Sequence, residues 1–514
     1  MKPTRRAVVR SSALLAALTA VSQVLGFARD AVMAAVFGAT SAVDAFLVAQ
    51  GLANLVLGLI TGAMSRALIP PVTRAAAAGN PTAAHRTVRV ALTVTITVLL
   101  AGSAVMFVAA RPIVGALAPG FDPATADEAV RATRIVLAAT FCIAGTNLLA
   151  AAAQAHGRFF WSGFQGVPFN LIMIACAAGL GGQFGATALA LGFVLGSLAR
   201  LLVQLPAVGA IRLRLWPSFR LRDPGFREML RLAPPLLVGS AILNVNTMVD
   251  RAVGSAQGAG VIASLSYGWR IVTLSEVVLV TAFTTTLFPA FSTLGDPARR
   301  AELRHATQRV LGVVMLLMAP LVVVLIVGAR PIVILLFARG SFDDRAIALT
   351  ATAVSFYSVS LAGLAVREVV ARTSLAVGDS RNPVLSAFTA MLVNVVGDLT
   401  LGVRFGVAGL AVSTSLSVML AATMLSTLTA HRHRAVALRP LLRTAACVAA
   451  ASTVSAVAGW VVSRMIPVDG ALHALLALAA LGAACLLSYA AVILALRLPA
   501  LTDLRRSLAD LRIR

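Results

Sequence analysis

A chain of 514 residues that is 59% hydrophobic and only 12% charged, with a mean hydropathy of +0.92, is neither a soluble globular protein nor a disordered one. Its formal net charge of +24 would suit nucleic acid if the arginines were gathered among aromatics, but they recur in alternate loops, as the positive-inside rule requires of a polytopic membrane protein. Cys142, Cys176, Cys447 and Cys485 lie in apolar runs without CxxC or His-paired spacing, so neither a disulfide framework nor a metal site is indicated by them; the six histidines are scattered, no P-loop spacing occurs, and no catalytic constellation appears, so an enzyme is not expected.

The chain opens with Lys2, Arg5, Arg6 and Arg10 before an apolar run. That imitates a signal peptide, but the run is too long and lacks a small-residue cleavage site, so it predicts a retained first helix with a cytoplasmic N-terminus. Apolar runs bounded by Pro, Gly and charge predict about fourteen transmembrane helices, at 11–37, 43–67, 87–110, 126–156, 161–180, 184–208, 228–254, 259–287, 307–328, 345–375, 383–402, 405–429, 441–463 and 470–497. The fold expected is therefore all-α and integral to the membrane.

Inside the first run, Arg29 and Asp30 stand side by side in the stretch Gln23-Val24-Leu25-Gly26-Phe27-Ala28-Arg29-Asp30. An ionisable residue in a span usually faces a bundle interior or a watery cavity, which would turn Arg29 inward; the alternative is that Arg29 and Asp30 neutralise each other or snorkel to the outer headgroups. Loops after even-numbered spans carry the arginines: Arg66, Arg74, Arg86 and Arg89, then Arg158, then Arg212, Arg214, Arg220, Arg222 and Arg227, then Arg299, Arg300 and Arg304, then Arg432, Arg434 and Arg439. Those faces are expected to be cytoplasmic, and the basic tail with Arg497, Arg505, Arg506, Arg512 and Arg514 returns there.

An internal repeat is visible. Ala110-Arg111-Pro112-Ile113-Val114 recurs as Ala329-Arg330-Pro331-Ile332-Val333, an offset of 219, and each copy is followed by Gly-Phe-Asp or Gly-Ser-Phe-Asp. Leu68-Ile69-Pro70 faces Leu287-Phe288-Pro289 at the same offset. Twelve spans thus read as two parallel six-helix lobes, at 1–220 and 221–435, followed by two extra spans at 436–497 and a tail at 498–514.

Charges within the spans comprise Arg29, Asp30 and Asp44 in the first lobe and Asp250, Arg251, Arg270, Glu276, Arg367, Glu368, Arg372 and Asp398 in the second. Each is costly in lipid, by about 2.5–3.5 kcal/mol at a helix centre, so pairing or a wet cavity is required. Planar guanidinium donors suit phosphate oxygens, which makes Arg29 and Arg270 candidates for an anionic head group. Asn394 and Asp398 share a helical face at i, i+4; with the Thr414 hydroxyl, the Leu410 carbonyl and Asp250 they form either a site for a hard cation or a set of interhelical hydrogen bonds.

From Gln23 through Val36-Phe37-Gly38-Ala39 to Asp44-Ala45-Phe46 and Asn54-Leu55, and again at Pro119-Gly120-Phe121, the sequence resembles the MurJ/MviN family of the multidrug/oligosaccharidyl-lipid/polysaccharide exporter superfamily. The resemblance implies a flippase that moves lipid II, the lipid-linked peptidoglycan precursor, across the bacterial inner membrane by alternating access. It implies substrate contacts at Arg29, Asp44 and Arg270, and a sodium ion at Asp250, Asn394, Asp398, Leu410 and Thr414. It further implies a groove for the lipid tail formed by the last two spans, with membrane lipids and cell-wall synthesis proteins as partners. Two departures are plain: Gln23 replaces the usual Arg, and Val56-Leu57-Gly58-Leu59-Ile60-Thr61-Gly62 lacks the family's Arg pair. They leave open another polyprenyl-linked glycan as cargo, or a non-transporting scaffold for cell-wall synthesis.

Overall fold

The computed structural model describes residues 5–276, 294, 296–468 and 470–496, and among these there is no strand. The expected second half of the eighth span, the repeat copy at Leu287-Phe288-Pro289 and the basic tail lie outside the described residues, as do the side chains of Val56 to Leu59.

The first repeat consists of α1 (Arg5–Phe37), α2 (Ser41–Ala77), α3 (Pro81–Val108), α4 (Ala110–Leu117), α5 (Pro123–Leu137), α6 (Ala139–Ala155), α7 (Phe160–Phe164), α8 (Gly166–Phe184) and α9 (Ala186–Ala210). The second consists of α10 (Pro224–Ser255), α11 (261–276), α12 (Arg300–Val327), α13 (Ala329–Phe337), α14 (Asp344–Ser358), α15 (Ser360–Ala376), α16 (Arg381–Gly397) and α17 (Val403–His433). A hairpin, α18 (Leu438–Met465) and α19 (Ala471–Ala495), follows.

Helix starts are written in short polar signals. Asn80, Asp122 and Asp223 cap α3, α5 and α10 with a side-chain oxygen, each followed by Pro at the first helical position, where the missing N–H costs nothing. The repeat is kept at the level of helix lengths. α3 and α12 both have 28 residues, α5 and α14 both have 15, and α6 and α15 both have 17. Even the unusual turns recur, since Arg212 and Arg434 hold φ of 52° and 53°.

Nine helical runs among the described residues are long and apolar enough to cross a bilayer, or ten if α5 and α6, bent by 42°, make one span. The sequence led us to expect about fourteen. One run, Arg381–His433, has 53 residues. At about 1.5 Å per residue it far exceeds the roughly 30 Å of hydrocarbon, and its break at Gly406 folds it into two passes. The segments expected as the second, seventh and eighth spans each include side chains outside the described ones.

The chain divides into two compact units. One comprises residues up to 263 together with Arg339–Phe342; the other comprises Ser264–Ala338 and the residues from Asp343 onward. The reason is packing. α10 lies along α2, and Phe226 and Met229 join Leu68, Val88 and Leu148 in one buried core. The segment 339–342 belongs there because the Ser341 amide donates to Ala35 O at 2.8 Å and Gly340 approaches the same carbonyl too closely for a Cβ.

In the second unit, Leu303, Leu311, Val370 and Leu425 form the main core. The hairpin docks on α12 through the Tyr489 hydroxyl, which donates to Leu316 O at 3.1 Å, and closes on itself where Ser455 Oγ donates to Cys485 O at 2.7 Å.

Candidate substrate and cation sites

In the first unit, α1 packs beside α8, and Arg29 sits half-buried on that side. Its Nε and Nη2 donate to Asp30 Oδ1 at 2.9 and 2.7 Å, and its guanidinium lies 5.9 Å from the centre of the Phe169 ring. The neighbouring acid thus answers the Arg29 charge while the guanidinium lies near an aromatic ring of α8.

Asp44 is 1% exposed, with both oxygens engaged by backbone: Oδ2 accepts from the Gly260 amide at 2.6 Å and Oδ1 from the Ala263 amide at 2.7 Å. Two amides of a helix's first turn match a carboxylate in geometry and charge. This residue acts here as the cap of the turn at 260–263. Asp250, on α10, belongs to the same unit and is half-buried.

Arg270 belongs to the second unit, on α11, where it is half-buried between Trp269 and Ile271 in the chain; its carbonyl accepts from Thr273 Oγ at 3.2 Å. The remaining four cation candidates also fall in this unit and are brought together. Asn394 Nδ2 donates to Asp398 Oδ1 at 2.9 Å, and the Thr414 hydroxyl donates to Leu410 O at 3.2 Å. Asn394, Asp398 and Leu410 are 2%, 0% and 0% exposed.

The backbone makes the cluster possible. After α16 the chain widens into a π-turn at Asp398–Gly402, and at Gly406 it takes φ 58° and ψ −132°, which only glycine adopts readily. Ser413, which the sequence reading passed over, ties the two sides together: it donates to Asn394 O at 2.9 Å and accepts from Asn394 Nδ2 at 3.1 Å. Its signal was the spacing, since it adjoins Thr414 and faces Gly397, which leaves no room for a Cβ beside Ser413 Oγ. A carboxylate, a carboxamide, a carbonyl and a hydroxyl in neighbouring positions, without sulfur or imidazole, are the donors of a hard cation. Among the described residues there is no group of three or more His, Cys, Asp or Glu that could hold a metal ion.

At the end of the first repeat, Asp223 accepts from Arg86 Nε at 2.6 Å, Thr87 Oγ at 2.7 Å and the Phe226 amide at 3.0 Å. Burial alone would raise its pKa, but these hydrogen bonds and the Arg86 charge outweigh it, and the carboxyl titrates below its ordinary 3.8.

Comparison with known proteins adds the following. Residues 33–481 match the family model described as "Lipid II flippase MurJ". The chain is 29% identical over 425 residues to a probable lipid II flippase MurJ of Vibrio cholerae, covering 80% of this chain and 81% of that one. It is 27% identical over 413 residues to the lipid II flippase MurJ of Burkholderia cenocepacia, covering 79% and 80%. Among solved structures, a lipid II flippase MurJ in an inward closed conformation superposes with a TM-score of 0.79 at 19% identity, covering 94% of this chain and 99% of that chain. An inward-facing multidrug resistance MATE family transporter of the MOP superfamily gives 0.63 at 16% identity, covering 80% and 95%. At such identities the structural likeness speaks for the fold.

Proposed function

The chain belongs to the MurJ family of lipid II flippases, and we propose from that premise that it moves lipid II across the bacterial inner membrane by ion-coupled alternating access. It is a multi-pass membrane transporter, not an enzyme. Both termini lie in the cytoplasm on this reading, because the arginine-rich loops do.

The pyrophosphate of the cargo enters from the cytoplasm and is held by Arg29 and Arg270. The observation that carries this is Arg29 itself: a guanidinium kept on the helix-packed side of α1, in a family whose cargo is an anion. Asp44 acts on this reading through its cap on 260–263 rather than by touching cargo. Sodium at Asn394, Asp398, Leu410 and Thr414, completed by Asp250, supplies the bias. A potential of 100 mV contributes about 2.3 kcal/mol per charge, enough to shift a two-state equilibrium more than tenfold. The lipid tail runs along α18 and α19, and cell-wall synthesis proteins are the partners this activity serves.

The test is flipping of lipid II by the purified chain in vesicles. Arg29→Ala and Arg270→Ala are each expected to lower the rate at least about tenfold, the effect of losing a charge-assisted pair. Unchanged rates in both would remove the reading. Gln23 in place of Arg favours a second cargo, another polyprenyl-linked glycan. Rescue of a strain depleted of its own lipid II flippase separates the two.

A further inference from the structure

Arg200 lies well inside α9, a run apolar enough to cross the membrane. One turn away on either side, Gly196 and Gln204 are buried, as is Ser197, whereas Leu195, Leu198, Leu202 and Leu205 are exposed on the other face. The i, i+4 spacing therefore sets Arg200 on the face turned toward the other helices of its unit, not toward lipid. Gly196 lies so close to Phe169 that a Cβ would meet the ring at 2.9 Å. That close approach brings the Arg200 guanidinium to 5.2 Å from the centre of the same ring that Arg29 approaches to 5.9 Å.

The two cations differ in what answers their charge. Arg29 has Asp30. Arg200 has a buried Nε with no hydrogen-bond partner, and none of the ion pairs among the described residues includes it. The face of an aromatic ring attracts a cation but offsets only part of the cost of removing it from water within a membrane span. Arg29, Asp30 and Arg200 together carry a net positive charge, which suits an anion.

We propose that Arg200 is a cargo-binding residue, which together with Arg29 grips the phosphates of a lipid-linked pyrophosphate, with Phe169 holding the two guanidinium groups in place until the anion arrives. This rests on the function proposed above and deepens it. It also places a cation on α9 in a chain that lacks Arg at position 23.

The test uses the full chain in lipid nanodiscs with lipid II as the probe. Phenylglyoxal modification of Arg200, followed by peptide mass spectrometry, is expected to slow at least about fivefold when lipid II is present and to be unaffected by undecaprenol, which has the tail without phosphate. Arg200→Gln is expected to weaken lipid II binding about tenfold and Arg200→Lys only about threefold, because lysine keeps the charge without the fork. A modification rate indifferent to lipid II overturns the proposal even if the glutamine variant does not fold. So does equal affinity in a glutamine variant that melts with the parent, which would leave Arg200 a mere spacer between α8 and α9. Binding by the parent with an indifferent Arg200 removes this inference alone; a parent that does not bind lipid II removes the function proposed above and this inference with it.

Discussion

Gly185 and Gly406 make the same backbone break in the two repeats. They hold φ 53°, ψ −135° and φ 58°, ψ −132°, and each interrupts a long apolar helical stretch. Their surroundings differ. Next to Gly185 a single acid, Glu128, accepts from the Ala186 amide at 3.1 Å and caps α9. Before Gly406 stand a π-turn and the network of Asn394, Asp398 and Ser413. A break in a helix frees backbone groups that must be satisfied inside the protein, and both repeats meet that demand. Only the second adds polar side chains beyond it. The shared break is scaffold, and the unshared side chains coincide with the cation site proposed above.

The comparison breaks outright if Asp398→Ala leaves transport untouched. Loss of the buried carboxylate is expected to lower vesicle flipping at least about tenfold and to abolish the sodium dependence proposed above, while Glu128→Gln at the first break changes the rate by no more than about twofold. Next in size is Gly409→Ala, whose added methyl would collide with Leu401 O and is expected to cost about 3 kcal/mol, read as a lowered melting temperature. Gly185→Ala and Gly406→Ala sharpen the comparison: if the breaks are equivalent scaffold, each costs about 1–2 kcal/mol and the two agree. Ser413→Ala removes a bridge between two segments and is expected to cost about 1 kcal/mol, with a several-fold weaker response to sodium.

The smallest effect concerns the end of the first repeat. Because the Asp223 carboxyl titrates below its ordinary value, its contribution is present above about pH 4 and is lost as pH falls through its folded value. Asp223→Asn should therefore lower the melting temperature more at pH 7 than at a pH below its folded value. An equal loss at both values would assign its effect to the cap alone.

Much of the fold was legible in the chain, because in a bilayer the choice is narrow. Apolar length dictates helices, and a repeated Ala-Arg-Pro-Ile-Val announces a duplication that the matching helix lengths carry through. Spacing alone also put Asn394 beside Asp398, since i and i+4 share a face in any helix. The sequence could not say that α10 would join the first unit, or that Asp44 would spend both oxygens on the amides of Gly260 and Ala263, more than two hundred residues away in the chain. Nor did it mark Ser413 or Arg200, whose significance lies in which neighbour they meet. Period and polarity are local properties and survive in a one-dimensional string. The partner of a buried polar atom is fixed only when distant helices close on it, and that is what tertiary packing decided here.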